Sequence, residues 1–261
     1  MSRENPLIAM IMGGLCALAP QSASAMEMAN LESGPVQQVH LQDSHPAGLK
    51  WEGGFELLEM AINNKEERLI WEGGLSYGSD LHRLVVKFDG GGEIGRRVDE
   101  VETQLLYARQ ISDKVALLGG VRHDWRGAPH NNYAVIGTEI AFSDILSSES
   151  FAFLSDRGDL TGETELFIET PINPRLLVDV RAGLGWSAQS IPDEDTWAGL
   201  NEAEVSLRLR YTGHQRIVPY IGVAHGRLLG KTADMARAAG EERNATHFVA
   251  GLSLAFGSNQ D

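Results

Sequence analysis

The chain has 261 residues, with 36 acidic side chains against 22 basic ones and a net charge of −14. That balance excludes nucleic acid as a natural partner. Its single cysteine, Cys16, excludes a disulfide framework or a thiolate-rich metal site. After the first 25 residues no apolar run approaches the length of a membrane helix.

The opening segment has the three parts of an export signal. Ser2 and Arg3 form a short n-region, Pro6 to Leu18 is apolar, and Ala23-Ser24-Ala25 is an A-x-A cleavage site. Residues 1–25 are therefore expected to be removed, leaving Met26 first. Leu15 precedes Cys16 where a lipobox needs Gly, Ala or Ser, so lipidation is not expected. The stretch from Met26 to Lys50 is polar and aperiodic and is expected to be a flexible tail.

From about Gly54 the texture changes to short alternating segments separated by turn signals. Twelve strands are predicted, over 54–62, 69–78, 82–89, 100–111, 115–125, 132–142, 149–155, 161–172, 176–187, 202–211, 218–225 and 246–256. A short helical turn is expected at Ala233–Ala239 inside the last loop. In several strands apolar residues oppose ionic ones. Leu176, Val178, Val180, Ala182 and Leu184 oppose Asp179 and Arg181. Leu166 and Ile168 oppose Glu163, Glu165 and Glu169. Val205, Leu207 and Leu209 oppose Glu204, Arg208 and Arg210. In the closing strand, Phe248, Ala250, Leu252, Leu254 and Phe256 oppose His247 and small residues.

Alternation alone fits two folds. A soluble sandwich puts the grease inside, whereas a barrel in lipid puts it outside and the ions in the lumen. Connection lengths favour the barrel. Ser79–Leu81, Ser112–Lys114 and Asn173–Arg175 are tight; Gly90–Asp99, Ala188–Asn201 and Gly226–Ala245 are long. Short turns on one side and long loops on the other mark outer-membrane barrels. Trp51, Trp71, Trp125, Trp186 and Trp197 fall near strand ends or in loops, as an interfacial girdle requires. The expected fold is an all-β antiparallel transmembrane barrel of about twelve strands over residues 51–256, monomeric, with a 257–261 extension. No nucleophile-elbow serine and no His-Glu-x-x-His occur, so the reading is not an enzyme. An outer-membrane hydrolase and a passive pore are the alternatives.

Two stretches carry a family resemblance. Gly78–Gly137 contains GSDLHRLVVKFDGGGE, VDEVETQLLYARQISDKVALLGGVRHDW and YAVIG; Pro219–Phe256 contains YIGV, TADMARAAGE and FVAG. LNEAEVSLRLRY adds a weaker match between them. These strings resemble the copper resistance protein B family of bacterial outer membranes. The resemblance implies a copper-binding barrel in outer-membrane lipid that contributes to copper tolerance. It also implies a periplasmic multicopper oxidase of the same system as partner.

A copper ion here must be held without thiolate. Thioether suits Cu(I), while imidazole and carboxylate suit Cu(II). Met26, Met28, His40 and His45 lie on the tail, His247 is expected in the lumen, and Met235 lies on an outer loop with His130. His82, His123 and His225 are expected on the outer face. A lumen network is expected from Asp80, Arg83, Lys87, Arg122, Asp124, Glu163, Glu165, Asp179, Arg181, Glu204 and Arg208. It is either structural or the lining of a cation route. Asp80, Arg83, Arg122 and Asp124 match family motifs and are its best candidates.

Overall fold

The computed structural model describes residues 49–96, 98–125, 131–214 and 216–257. The signal segment, nearly all of the tail with Met26, Met28, His40 and His45, the loop residue His130, and 258–261 lie outside the described residues. Twelve strands form a closed barrel: β1 (Lys50–Ile62), β2 (Glu67–Gly78), β3 (His82–Glu93), β4 (Val98–Ser112), β5 (Val115–Asp124), β6 (Asn131–Ala141), β7 (Leu146–Ser155), β8 (Leu160–Asn173), β9 (Leu176–Ser187), β10 (Gly199–Tyr211), β11 (Ile217–Leu228) and β12 (Asn244–Gly257). Each strand pairs antiparallel with its chain neighbours, and β1 closes on β12. Closure leaves no strand edge, so the backbone donors and acceptors of the strands are satisfied from strand to strand. Lipid can offer them no alternative partner.

The two ends of the barrel differ. Both chain ends of the barrel, Lys50 and Gly257, lie at one end together with the turns 79–81, 113–114, 142–145 and 174–175 and with residues 212–214 and 216. The other end carries 63–66, 94–96, Trp125, 156–159, 188–198 and 229–243. The expected alternation of turns and loops holds, with one correction. Gly90–Asp99 is not a long loop. Gly90, Gly91 and Gly92 stay in β3, paired with Val101, Glu100 and Val98, because their missing side chains let neighbouring strands and rings approach. Longer strands also replace part of the 226–245 loop. Its centre is a helix, α1 (Gly230–Ala239), ended by Gly240 in the left-handed conformation at φ 80°.

The faces follow the pleat. Ile136, Val205, Leu207, Ile221 and Phe248 stand on the outside and are exposed, Phe248 to 72%. An apolar exterior of this extent is unsustainable in water and natural in lipid. Trp51, Tyr77, Tyr211 and Phe256 lie on the strands near the turn end, and Trp125 and Trp186 near the loop end. His82, His123 and His225 also point outward. His82 Nδ1 lies 2.5 Å from the Tyr107 hydroxyl, His123 Nδ1 2.7 Å from Asn132 Oδ1, and His225 Nδ1 2.7 Å from Thr246 Oγ1.

Several aromatic rings pack against a glycine directly across the ladder. Trp186 covers Gly162, where a Cβ would come within 2.3 Å of the indole, and Trp71 covers Gly90. The glycine supplies the space and the ring covers the exposed backbone. Gly162→Val is therefore expected to lift Trp186 and destabilise the barrel by about 1–3 kcal/mol. A shift in tryptophan emission together with a lower unfolding midpoint would register it; unchanged emission would mean the ring does not rest there.

Candidate functional site

Inside the barrel the ladder register gathers charge. Glu72, Asp89, Glu102 and Asp124 are direct cross-strand neighbours on β2, β3, β4 and β5. Glu139, Glu149 and Glu165 are neighbours on β6, β7 and β8, and Gly183 then separates Glu165 from Glu204. Like charges directly opposite each other destabilise a sheet, so these two carboxylate rows are costly. Guanidinium and ammonium groups reach across the lumen to offset them.

Arg122 on β5 serves the first row. Its Nε donates to Asp124 Oδ1 at 2.6 Å, and its Nη2 pairs with Glu102. Its guanidinium carbon is also 4.7 Å from the Phe153 ring centre and 5.2 Å from that of Tyr133. Lys87 on β3, fully buried, crosses to Glu149 on β7 at 2.6 Å and rests over Phe151. Arg181 on β9 reaches Glu56 at 2.5 Å and Glu72 at 3.4 Å on the opposite wall. Arg208 on β10 grips Glu59 with two donors, at 3.0 and 3.1 Å. Arg210 pairs with Asp179 at 2.6 Å and lies over Tyr220. Cations held both by carboxylate and by aromatic face are fixed in position. Two of these pairs, from β3 to β7 and from β9 to β1, span the lumen.

Of the residues expected in the network, Arg122, Asp124, Glu163, Glu165, Asp179, Arg181, Glu204 and Arg208 face the interior. Arg83 sits at the turn end, half-buried, and donates to Glu139 at 3.1 Å. Asp80 is a correction. It occupies the turn before β3, its side chain is 76% exposed, and its partner is Lys50 at 3.4 Å. A turn residue lies beyond the end of the pleat, so strand parity cannot carry it into the lumen. Asp80 instead lines a vestibule of about 400 Å³ at the turn end, with Glu52, Arg83, Asp113 and Glu139.

His247 faces inward as expected and is buried. Its Nε2 lies 2.7 Å from Asn63 Nδ2 and 3.4 Å from Glu66 Oε1. Met235 is on the exposed face of α1, whose Thr232, Ala233 and Ala236 are the buried residues. His247 and Met235 thus do not share a site. Met60 is likewise on the outer face of β1. Among the described residues no group of three or more His, Cys, Asp and Glu side chains is arranged to hold a metal ion directly.

The strand parities did not bring forward Glu56, Glu59 and Glu72, or the aromatic partners Tyr133, Phe151, Phe153 and Phe167. The aromatics could have been found from their phase, since Phe151 and Phe153 alternate in step with Glu149, and Phe167 with Glu165.

A family model described as copper resistance protein B precursor (CopB) matches residues 49–256. A copper resistance protein B homolog of Pseudomonas syringae pv. tomato is 29% identical over 199 residues, covering 76% of this chain and 67% of that protein. Copper resistance protein B of Escherichia coli is 28% identical over 216 residues, covering 81% and 71%. Among solved structures, a NanC porin superposes with a TM-score of 0.51 at 12% identity, over 79% of this chain and 99% of that one. That last likeness concerns the fold alone.

Proposed function

Because the chain belongs to the copper resistance protein B family, we propose that it contributes to copper resistance as a non-enzymatic outer-membrane barrel that binds copper. The tail receives periplasmic copper, and the barrel sequesters it or passes it outward. The observation that carries this reading is the pair of carboxylate rows across the lumen wall. A structural plug would be more stable with neutral residues there; a cation-handling interior needs the charge.

On this reading residues 1–25 are removed on export, and the turn end, with Lys50 lining the 400 Å³ vestibule, faces the periplasm. The protein is monomeric in outer-membrane lipid, and a periplasmic multicopper oxidase of the same system is its partner. The donors divide by softness. Met26 and Met28 suit Cu(I), and His40 and His45 suit Cu(II). The barrel interior offers oxygen and the His247 imidazole. Neither of its described methionines, Met60 and Met235, faces inward, so the interior suits the divalent ion.

Copper titration of the refolded barrel with and without residues 26–49 tests the division of labour. Truncation is expected to lower the bound copper by the tail's share. Unchanged stoichiometry would remove the tail from the mechanism. Equal copper sensitivity of a deletion strain and its parent would leave a passive pore.

A further inference from the structure

Midway along the lumen a cavity of about 40 Å³ is walled in part by Glu59, Glu72, Glu165 and Glu204, with Arg181 and Arg208. The two cations are already engaged: Arg208 with Glu59, and Arg181 with Glu56, Glu72 and Asp179. Glu165 is 7% exposed, and its Oε2 is buried with no hydrogen-bond partner. Glu204, in electrostatic range of Glu165, has no ion-pair partner among the described residues. Four carboxylates against two guanidiniums leave two negative charges on the wall. Buried carboxylates in excess of their counter-charge demand either protons or a cation.

We infer that this chamber is a binding site for one divalent cation, held by Glu165 and Glu204 with Glu72 beside them and with water completing the shell. A space of 40 Å³ accommodates about three water-sized groups, an ion with about two waters, and the remaining oxygens of a six-coordinate shell come from the two carboxylates of Glu165 and Glu204. Water-assisted coordination also agrees with the absence of a direct three-ligand group among the described residues. The wall has no sulfur and one imidazole, that of His247, so the site favours divalent ions over Cu(I). Its charge surplus matches the ion it takes. The inference deepens the copper reading and rests on it in one respect, that cations enter the barrel.

Mn2+ is the discriminating probe, because it prefers oxygen to the thioethers of the tail. The full mature chain, refolded in detergent, would be titrated while the paramagnetic signal of free aqueous Mn2+ is followed. One Mn2+ is expected to be immobilised per barrel, displaced by Cu2+ and not by Cu+. The Glu165→Gln/Glu204→Gln variant is expected to bind at least tenfold more weakly. Glu→Gln keeps the shape, and neither residue holds an arginine, so folding is not at stake through a lost pair. Should the double variant fail to refold, Glu204→Gln alone reads the same loss. Asp144→Asn/Asp193→Asn, exposed carboxylates in the connections after β6 and β9, should bind as the parent does. Absence of a site in the parent, equal affinity in the chamber variant, or displacement by Cu+ would each overturn the inference. Because the Mn2+ readout does not depend on the tail, failure of the tail-truncation test and failure here are separable.

Discussion

Arg122→Met is expected to lose about 3–5 kcal/mol of barrel stability, the typical consequence of removing one partner from a buried charge pair. Glu102 and Asp124 are both fully buried, and Arg122 pairs with each. Across the ladder Asp89 lies next to Glu102, with neither carboxylate oxygen hydrogen-bonded. Without Arg122, three adjacent carboxylates would face one another in a filled lumen. The urea midpoint of the barrel refolded into lipid vesicles measures the loss, and boiling-sensitive gel mobility reports whether the barrel forms. Adding Glu102→Gln and Asp124→Asn to Arg122→Met should recover most of the stability, since the desolvated charges leave together. A cost below about 1 kcal/mol for the single change would mean that water reaches this row and screens it.

The second large effect lies on the opposite face. Ile136, in the middle of β6, is 67% exposed. Ile136→Arg is expected to cost about 2–4 kcal/mol in a bilayer, the usual penalty for a cation on the lipid face near the midplane. In a water-soluble sandwich an exposed position would accept arginine almost freely. A cost under about 0.5 kcal/mol in vesicles would therefore remove this face from lipid. The measurement is the vesicle unfolding midpoint of Ile136→Arg against Ile136→Ala.

The fold was legible because its two periodicities were clean. On β9, Asp179 and Arg181 mark the lumen and Val178, Val180 and Leu184 the lipid side. Nothing in that strand confuses the parity. β1 was harder. A bulge between Phe55 and Leu58 shifts its register against β12 and, between Phe55 and Leu57, against β2. FELLEMAI therefore does not alternate cleanly along its length, and Glu56 and Glu59 stayed hidden. Asp89 and Glu100 were hidden for another reason. Acid and glycine side by side read as a turn, yet a barrel wall can use glycine wherever a ring such as Trp71 lies across it.

Pairing partners across the lumen were beyond reach of the sequence. Lys87 meets Glu149 and Arg181 meets Glu56 through the open centre of the ring, at separations set by barrel width and not by spacing along the chain. Ladder register, by contrast, follows from strand ends and turn lengths. The Glu139–Glu149–Glu165 row could have been drawn by pairing adjacent strands outward from each turn.

The closing pair of β1 with β12 has a kinetic consequence. Every other pairing joins strands consecutive in the chain, through turns or loops that hold their partners close. The seam alone joins the two extremes of the domain, Glu52 to Gly257 and Ile62 to Phe248. Its loop-closure entropy is the largest in the molecule, and non-local contacts of this kind slow folding. Closure at the seam is then expected to be the slowest step of assembly.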